Sequence, residues 1–115
     1  VIELPFPAKI LWPNGRGHHL TKHREFQKHK RWAYHAMLAH GGSAALTVAA
    51  RIEWSVIVHP KTRNPIDDDN ARAALKAYQD GLAAAIGVND AVFAAPKLTF
   101  GDPVKGGKML VTIHE

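Results

Sequence analysis

The sequence predicts an α+β fold: helices packed on one mixed, mainly antiparallel sheet. Three observations predict it. Leu46, Val48, Ala50, Ile52, Trp54, Val56 and Val58 are apolar at every second position, the period of a strand with one face buried. Ala71, Leu75, Tyr78, Leu82 and Ala85 step by four and three, the period of a helix with one buried stripe. The elements then follow in the order β-α-β-α-β-β within 115 residues, the length of one domain, so residues 1–115 are read as a single domain.

Each element has its own signal. Ile2 to Leu11 alternates, and Pro5 and Pro7, which cannot donate to a ladder, assign this strand to an edge. Trp12-Pro13-Asn14-Gly15 is turn chemistry, and Asn14 to His19 reads as a loop. A helix is expected from about Thr21, a fair N-cap, to Ala39, stopped by Gly41-Gly42. Leu46–His59 reads as one strand. At ~3.3 Å per residue it would span roughly 46 Å, so a bend or a break is expected. After a loop carrying Lys61 and Arg63, a helix is expected over Asn70–Ile86, with Gly87 in the C′ position. Val92–Phe100 and Met109–His114 read as a hairpin around Gly101-Asp102-Pro103 and Gly106-Gly107, with Pro96 marking a bulge or an edge.

Composition excludes several classes. Hydrophobic residues make up 46% and charged residues 22%, which is neither disordered nor fibrous. There is no cysteine, hence no disulfide scaffold, thiolate zinc site or cysteine nucleophile. No apolar run approaches the ~18 residues of a membrane span and no signal-peptide pattern opens the chain, so a cytoplasmic protein without a membrane partner is expected. The length is too short for a full dinucleotide-binding fold, and no organic cofactor is expected.

Charge is segregated. The chain carries a net +5, but Lys9 to Arg31 alone holds seven basic residues and one acid. Asn64 to Asp90 holds five acids and two bases. A basic arm points to a polyanionic partner. The acids begin with Asp67-Asp68-Asp69-Asn70 at the start of the second helix. One Asp there is an N-cap worth about 1 kcal/mol. Three in a row repel one another and ask for a positive partner. Carboxylates with water ligands suit Mg²⁺, which in phosphodiester cleavage activates water and stabilises developing charge. Asp90 lies just past the helix. A helix of 17 residues is ~25 Å long, so Asp90 meets Asp69 only if the chain doubles back or a second subunit supplies the partner. Asp69, Lys76 and Asp80 fall within ~20° of one direction on the helix, and Arg72 points back at the acids. Lys76 and Asp80 are also an ordinary i, i+4 pair.

With these residues in view, the chain resembles the RusA family, endodeoxyribonucleases that resolve Holliday junctions and are often carried by phages and prophages. The matching stretches are Asp67-Asp68-Asp69-Asn70, Lys76, Asp80-Gly81-Leu82, Asn89-Asp90-Ala91 and Val104-Lys105-Gly106-Gly107-Lys108, with Leu4-Pro5-Phe6-Pro7 and Pro13-Asn14 near the start. The resemblance implies that Asp67, Asp69 and Asp90 bind Mg²⁺, with Mn²⁺ as a substitute, and that a lysine on the second helix is catalytic. The family's lysine lies three residues after the Asn, where this chain has Ala73. Lys76 instead keeps its spacing to Asp80-Gly81-Leu82, and Arg72 is the other cation at hand. The resemblance also implies a homodimer, one site per subunit, making paired nicks in a four-way junction of near two-fold symmetry.

The expected DNA contacts are Asn14, Arg16, Lys22, Lys28, Lys30 and Arg31 on the basic arm, with Lys61 and Arg63 before the acids. A charge run is more often just a solvated face. The eight histidines include His18, His19 and His23, but no cysteine, and no nearby acid except Glu25, completes a zinc set. They are expected to contact DNA, cap helices or face solvent. Trp12, beside a turn, is the one tryptophan considered for base stacking. Two other readings remain open: a non-catalytic, structure-selective DNA-binding protein that uses the acids as a cap, and an assembly protein that dimerises through its sheet and second helix.

Overall fold

In the computed structural model, residues 1–41 and 44–114 are described. The strands are β1 (Ile2–Pro5), β2 (Glu53–His59), β3 (Lys97–Phe100) and β4 (Lys108–His114). The helices are α1 (His19–His40), the single turn α2 (Ala44–Thr47), α3 (Asp68–Ala74) and α4 (Lys76–Ile86). Short 3₁₀ turns cover Lys9–Leu11 and Asp90–Val92. The fold is α+β, with helices packed on a four-stranded mixed sheet of order β1-β4-β2-β3. β4 runs antiparallel to both β1 and β2, and β2 runs parallel to β3.

One face of the sheet makes the core. Along β2, Trp54, Val56 and Val58 are buried, while Glu53 and Ile57 are exposed. Ile2 and Leu4 of β1 and Met109 and Val111 of β4 join them on the same side. Ala33 and Met37 of α1 and Tyr78 and Leu82 of α4 close over that face. Trp54 fills the far end, its Nε1 donating to the Ala94 carbonyl at 2.6 Å and its ring edge-on to Phe93. Tyr78 ties α4 to β1 by donating its hydroxyl to the Pro5 carbonyl at 2.6 Å. Burial pushes that phenol well above its ordinary pKa.

The edge assignment of β1 holds, since its one partner is β4. The strand is shorter than expected: the chain leaves the sheet after Pro5 and turns through Lys9–Leu11. The helix read from Thr21 starts at His19, and the cap is His18, whose Nδ1 accepts from the Leu20 N–H at 3.2 Å. Gly41 stops α1 at φ 82°, its N–H donating to the Met37 carbonyl; Gly42 lies outside the described residues. The long strand over Leu46–His59 is broken, as its length required. Leu46 is buried from the α2 turn, Ile52 makes an isolated parallel bridge to Phe93, and the ladder starts at Glu53, where β4 supplies partners in register from His114 to Lys108. The helix over Asn70–Ile86 is divided at Leu75, whose N–H is shared between the Ala71 and Arg72 carbonyls, both at 3.2 Å. Gly87 ends it in the left-handed region at φ 87°.

The hairpin reading is corrected. β3 and β4 lie on opposite sides of β2 and do not pair with each other. The glycine- and proline-rich segment between them carries the chain across β2, and β4 inserts between β1 and β2. Local turn chemistry says that a chain reverses, not which strand it reverses onto. No helix among the described residues is long and apolar enough to cross a membrane.

Candidate functional site

The acids start just after Pro65 and Ile66, where Asp67 caps α3. Asp67 Oδ1 accepts from the backbone N–H of Asp69 at 2.9 Å and of Asn70 at 3.2 Å. The cap reading therefore accounts for one oxygen of Asp67. Asp68 and Asp69 stand in the first turn, where the helix dipole favours negative charge. Asp69 is almost fully exposed, and its carboxylate lies 3.7 Å from Arg72 Nη1.

Asp90 is reached by doubling back within one chain. After Gly87 the chain folds towards the start of α4, and Asn89 caps the Asp90–Val92 turn by accepting from the Ala91 N–H at 2.8 Å. Gln79 Nε2 holds the Asp90 carbonyl at 3.1 Å. The Asp90 carboxylate meets Lys76 Nζ, which also donates to Asp80 Oδ1 at 2.8 Å. Burial works against the Lys76 ammonium, but its hydrogen bonds to Asp80 and Asp90 outweigh that and hold its pKa above the ordinary lysine value. The hydrogen bond from Lys76 holds Asp90 below the ordinary carboxylate range. Lys76 is thus gripped by two carboxylates, one on its own helix and one from the returning chain. Only the first was visible as a spacing; Asp80 was a neighbour in the sequence reading and is a full member of the cluster.

The expected metal ligands divide between two places. Asp67 and Asp69 stay at the start of α3, while Asp90 joins Lys76 and Asp80. Among the described residues no three metal-ligating side chains converge. The donors suit Mg²⁺ in kind, all being hard carboxylate oxygens. They do not suit it in arrangement, because Lys76 occupies Asp90 and Arg72 faces Asp69.

The expected DNA contacts also divide. Asn14 and Lys61 line a pocket of about 320 Å³ together with Asp67 and Asn70. Lys9, Phe6 and Trp12 complete its wall. Lys9 was counted in the basic arm and Phe6 in the Leu4-Pro5-Phe6-Pro7 match, but neither was among the expected contacts. Lys22 reaches a groove that Lys76 also lines. Arg63 lines a neighbouring depression beside Phe100 and Asp102. Arg16 is exposed on the loop before α1. Lys28, Lys30 and Arg31 lie along α1 and line none of these three pockets. Lys28 is engaged locally, 3.5 Å from Glu25 and over the Trp32 ring.

No known family profile matches the chain. An uncharacterized protein of Xylella fastidiosa (strain Temecula1 / ATCC 700964) is 33% identical over 114 residues, covering 97% of this chain and 74% of that protein. With that identity over nearly its whole length, the chain belongs to the same family as the uncharacterized Xylella fastidiosa protein.

Proposed function

We propose that the protein is a Mg²⁺-dependent endodeoxyribonuclease of the RusA kind, acting on branched DNA and above all on the four-way junction. The observation that carries this reading is the company Asp67 keeps. A carboxylate at a helix start shares one pocket with Lys9, Asn14 and Lys61, brought from two distant segments. About two and a half turns further along, Lys76 stands between Asp80 and Asp90. Cations that bind phosphate beside carboxylates are what hydrolysis of a phosphodiester requires. Lys9, Lys61 and Asn14 position the backbone. Lys76 remains a fixed positive charge that can exchange a carboxylate for a phosphate oxygen, with Arg72 as the second cation. Asp67, Asp69 and Asp90 are the proposed ligands of Mg²⁺ or Mn²⁺. A homodimer acting in the bacterial cytoplasm, with one site per subunit, would make the paired nicks.

A second reading has its own observation. No three ligands converge among the described residues, and Lys76 already neutralises Asp90. That arrangement favours a non-catalytic, structure-selective DNA-binding protein. Incubation with a labelled four-way junction and a matched duplex, with Mg²⁺ and with EDTA, separates the two. Symmetric nicks in the junction, only with Mg²⁺ and lost in Asp69→Asn, support the nuclease. Tight junction binding without cleavage under Mg²⁺ or Mn²⁺ leaves the binding protein.

A further inference from the structure

The pocket beside Asp67 has a wall that phosphate chemistry does not explain. Phe6 and Trp12 stack face to face, their ring centroids 5.2 Å apart and their planes 20° from parallel. Both are only partly buried, and both pack against the core. The indole is fixed by its Nε1, which donates to the Pro7 carbonyl at 3.1 Å. Lys61 Nζ stands 5.6 Å from the centre of the Phe6 ring. Asn14 and Asn70 also line the pocket. The space, about 320 Å³, is at the small end of ligand sites.

We propose that this pocket holds one unstacked nucleobase of the DNA strand, laid against the Trp12 indole. The inference rests on the DNA reading above and adds to it what the site recognises. Four features converge on that occupant. A rigid aromatic pair offers a π-surface to a flat ring. Two carboxamides present donors and acceptors at its edge. Two lysines, Lys9 and Lys61, line the same pocket and offer charge to the phosphates flanking that base. The volume admits a single nucleotide, not a stacked run. A continuous duplex offers no such base without paying to extrude it, whereas a branch point or a single strand does. The pocket therefore supplies a reason for preferring branched over linear DNA that the acids and lysines alone do not.

The test compares Trp12→Ala and Trp12→Phe with the unaltered protein, measuring affinity for a four-way junction and a matched duplex without divalent metal. Loss of one base stack should weaken junction binding by about five- to a hundredfold. Duplex binding should stay within about twofold, and the salt slope for the junction should not change, because no phosphate contact is lost. Trp12→Phe should restore most of the junction affinity. Equal loss on both DNAs, or no loss on the junction, overturns the proposal. A measurement on the unaltered protein needs no variant to fold: photocrosslinking to a single-stranded oligonucleotide carrying one 5-iodouracil. The adduct should fall in tryptic peptide 10–16, whose one aromatic residue is Trp12. An adduct only in peptides of α1 overturns the pocket. Free thymidine monophosphate should compete for the crosslink only at millimolar concentration; competition at low micromolar concentration would assign the pocket to a free nucleotide and overturn the strand base. If the protein shows no preference for the junction but the crosslink maps to Trp12, the branched-DNA reading fails and the base pocket stands.

Discussion

Among the described residues His29 is the one buried polar side chain, 2% exposed, and its hydrogen bonds define its charge. The Ala8 N–H can only donate, so Nε2, 3.1 Å away, must be the unprotonated acceptor. Nδ1 then carries the proton and donates to the Glu25 carbonyl at 2.7 Å. The ring is neutral, and burial lowers its pKa below 6.5 against a smaller opposing pull from Glu25. A depressed pKa means that the folded state takes up fewer protons than the unfolded one as pH falls. The contribution of His29 to stability is therefore present above about pH 6.5 and is lost as pH drops through the folded value. The urea midpoint should fall between pH 7.5 and pH 5.5, with a slope from this group of at most about 1.4 kcal/mol per pH unit. His29→Gln should be less stable at pH 7.5 and should show a flatter profile. The other seven histidines are common to both proteins, so the difference between the two profiles isolates His29. An unchanged difference from pH 7.5 to 5.5 would mean that the His29 ring takes up its proton equally in the folded and unfolded chain, with no depression by burial. From sequence His29 was one of a basic run, because nothing local says that Ala8 folds back over it.

At the scale of elements, the central contact is α1 against α4, and Gly81 permits it. A Cβ at position 81 would stand 2.2 Å from the Lys30 carbonyl oxygen and 2.9 Å from the Ala33 Cβ. Both belong to a helix that cannot rotate out of the way. In an exposed helix Gly→Ala would gain about 1 kcal/mol from propensity. Here the overpacking cost of about 1–3 kcal/mol should exceed that gain, because the obstruction is backbone. Gly81→Ala is expected to lower stability in urea unfolding, by up to about 2 kcal/mol; a more stable variant would show that α1 can move aside. The same helix shows what a sequence can and cannot tell. The stripe Ala71, Leu75, Tyr78, Leu82 and Ala85 was legible because helical period is local: the first four are buried and Ala85 is partly buried. The division at Leu75 was not, because a break costs only a rearranged hydrogen bond and changes no periodicity. The alternation at Ile52–Val58 was legible, but it ran on through Leu46, Val48 and Ala50, which pair with no strand among the described residues. The position of Asp90 at Lys76 depends on how the chain returns after Gly87, and the partners of β3 and β4 depend on the rest of the sheet. Neither is written in a window of ten residues.

The whole molecule separates its charges less cleanly than its sequence does. Along the chain, Lys9–Arg31 is a basic block, which suggests one continuous DNA face. In three dimensions that block is parted. Lys9 and Lys22 reach the surroundings of the acids, where Lys61 joins them from the loop before α3. Lys28, Lys30 and Arg31 are carried off along α1. These two groups make different predictions for DNA binding. Each lysine or arginine that neutralises a phosphate adds about 0.9 to the slope of log affinity against log salt. If DNA passes over the acids, replacing Lys9, Lys22 and Lys61 by alanine should lower that slope by about 2 to 3 and weaken binding to every DNA structure. Replacing Lys28, Lys30 and Arg31 should lower it by less than about 1, since Lys28 already has a carboxylate and an indole as partners. The opposite ranking would put the path of the DNA along α1 and away from Asp67, and a carboxylate away from the DNA cannot take part in its cleavage. Salt titration of the two triple variants therefore tests the route of the DNA, and through it the assignment of the acids, before any nuclease assay is run.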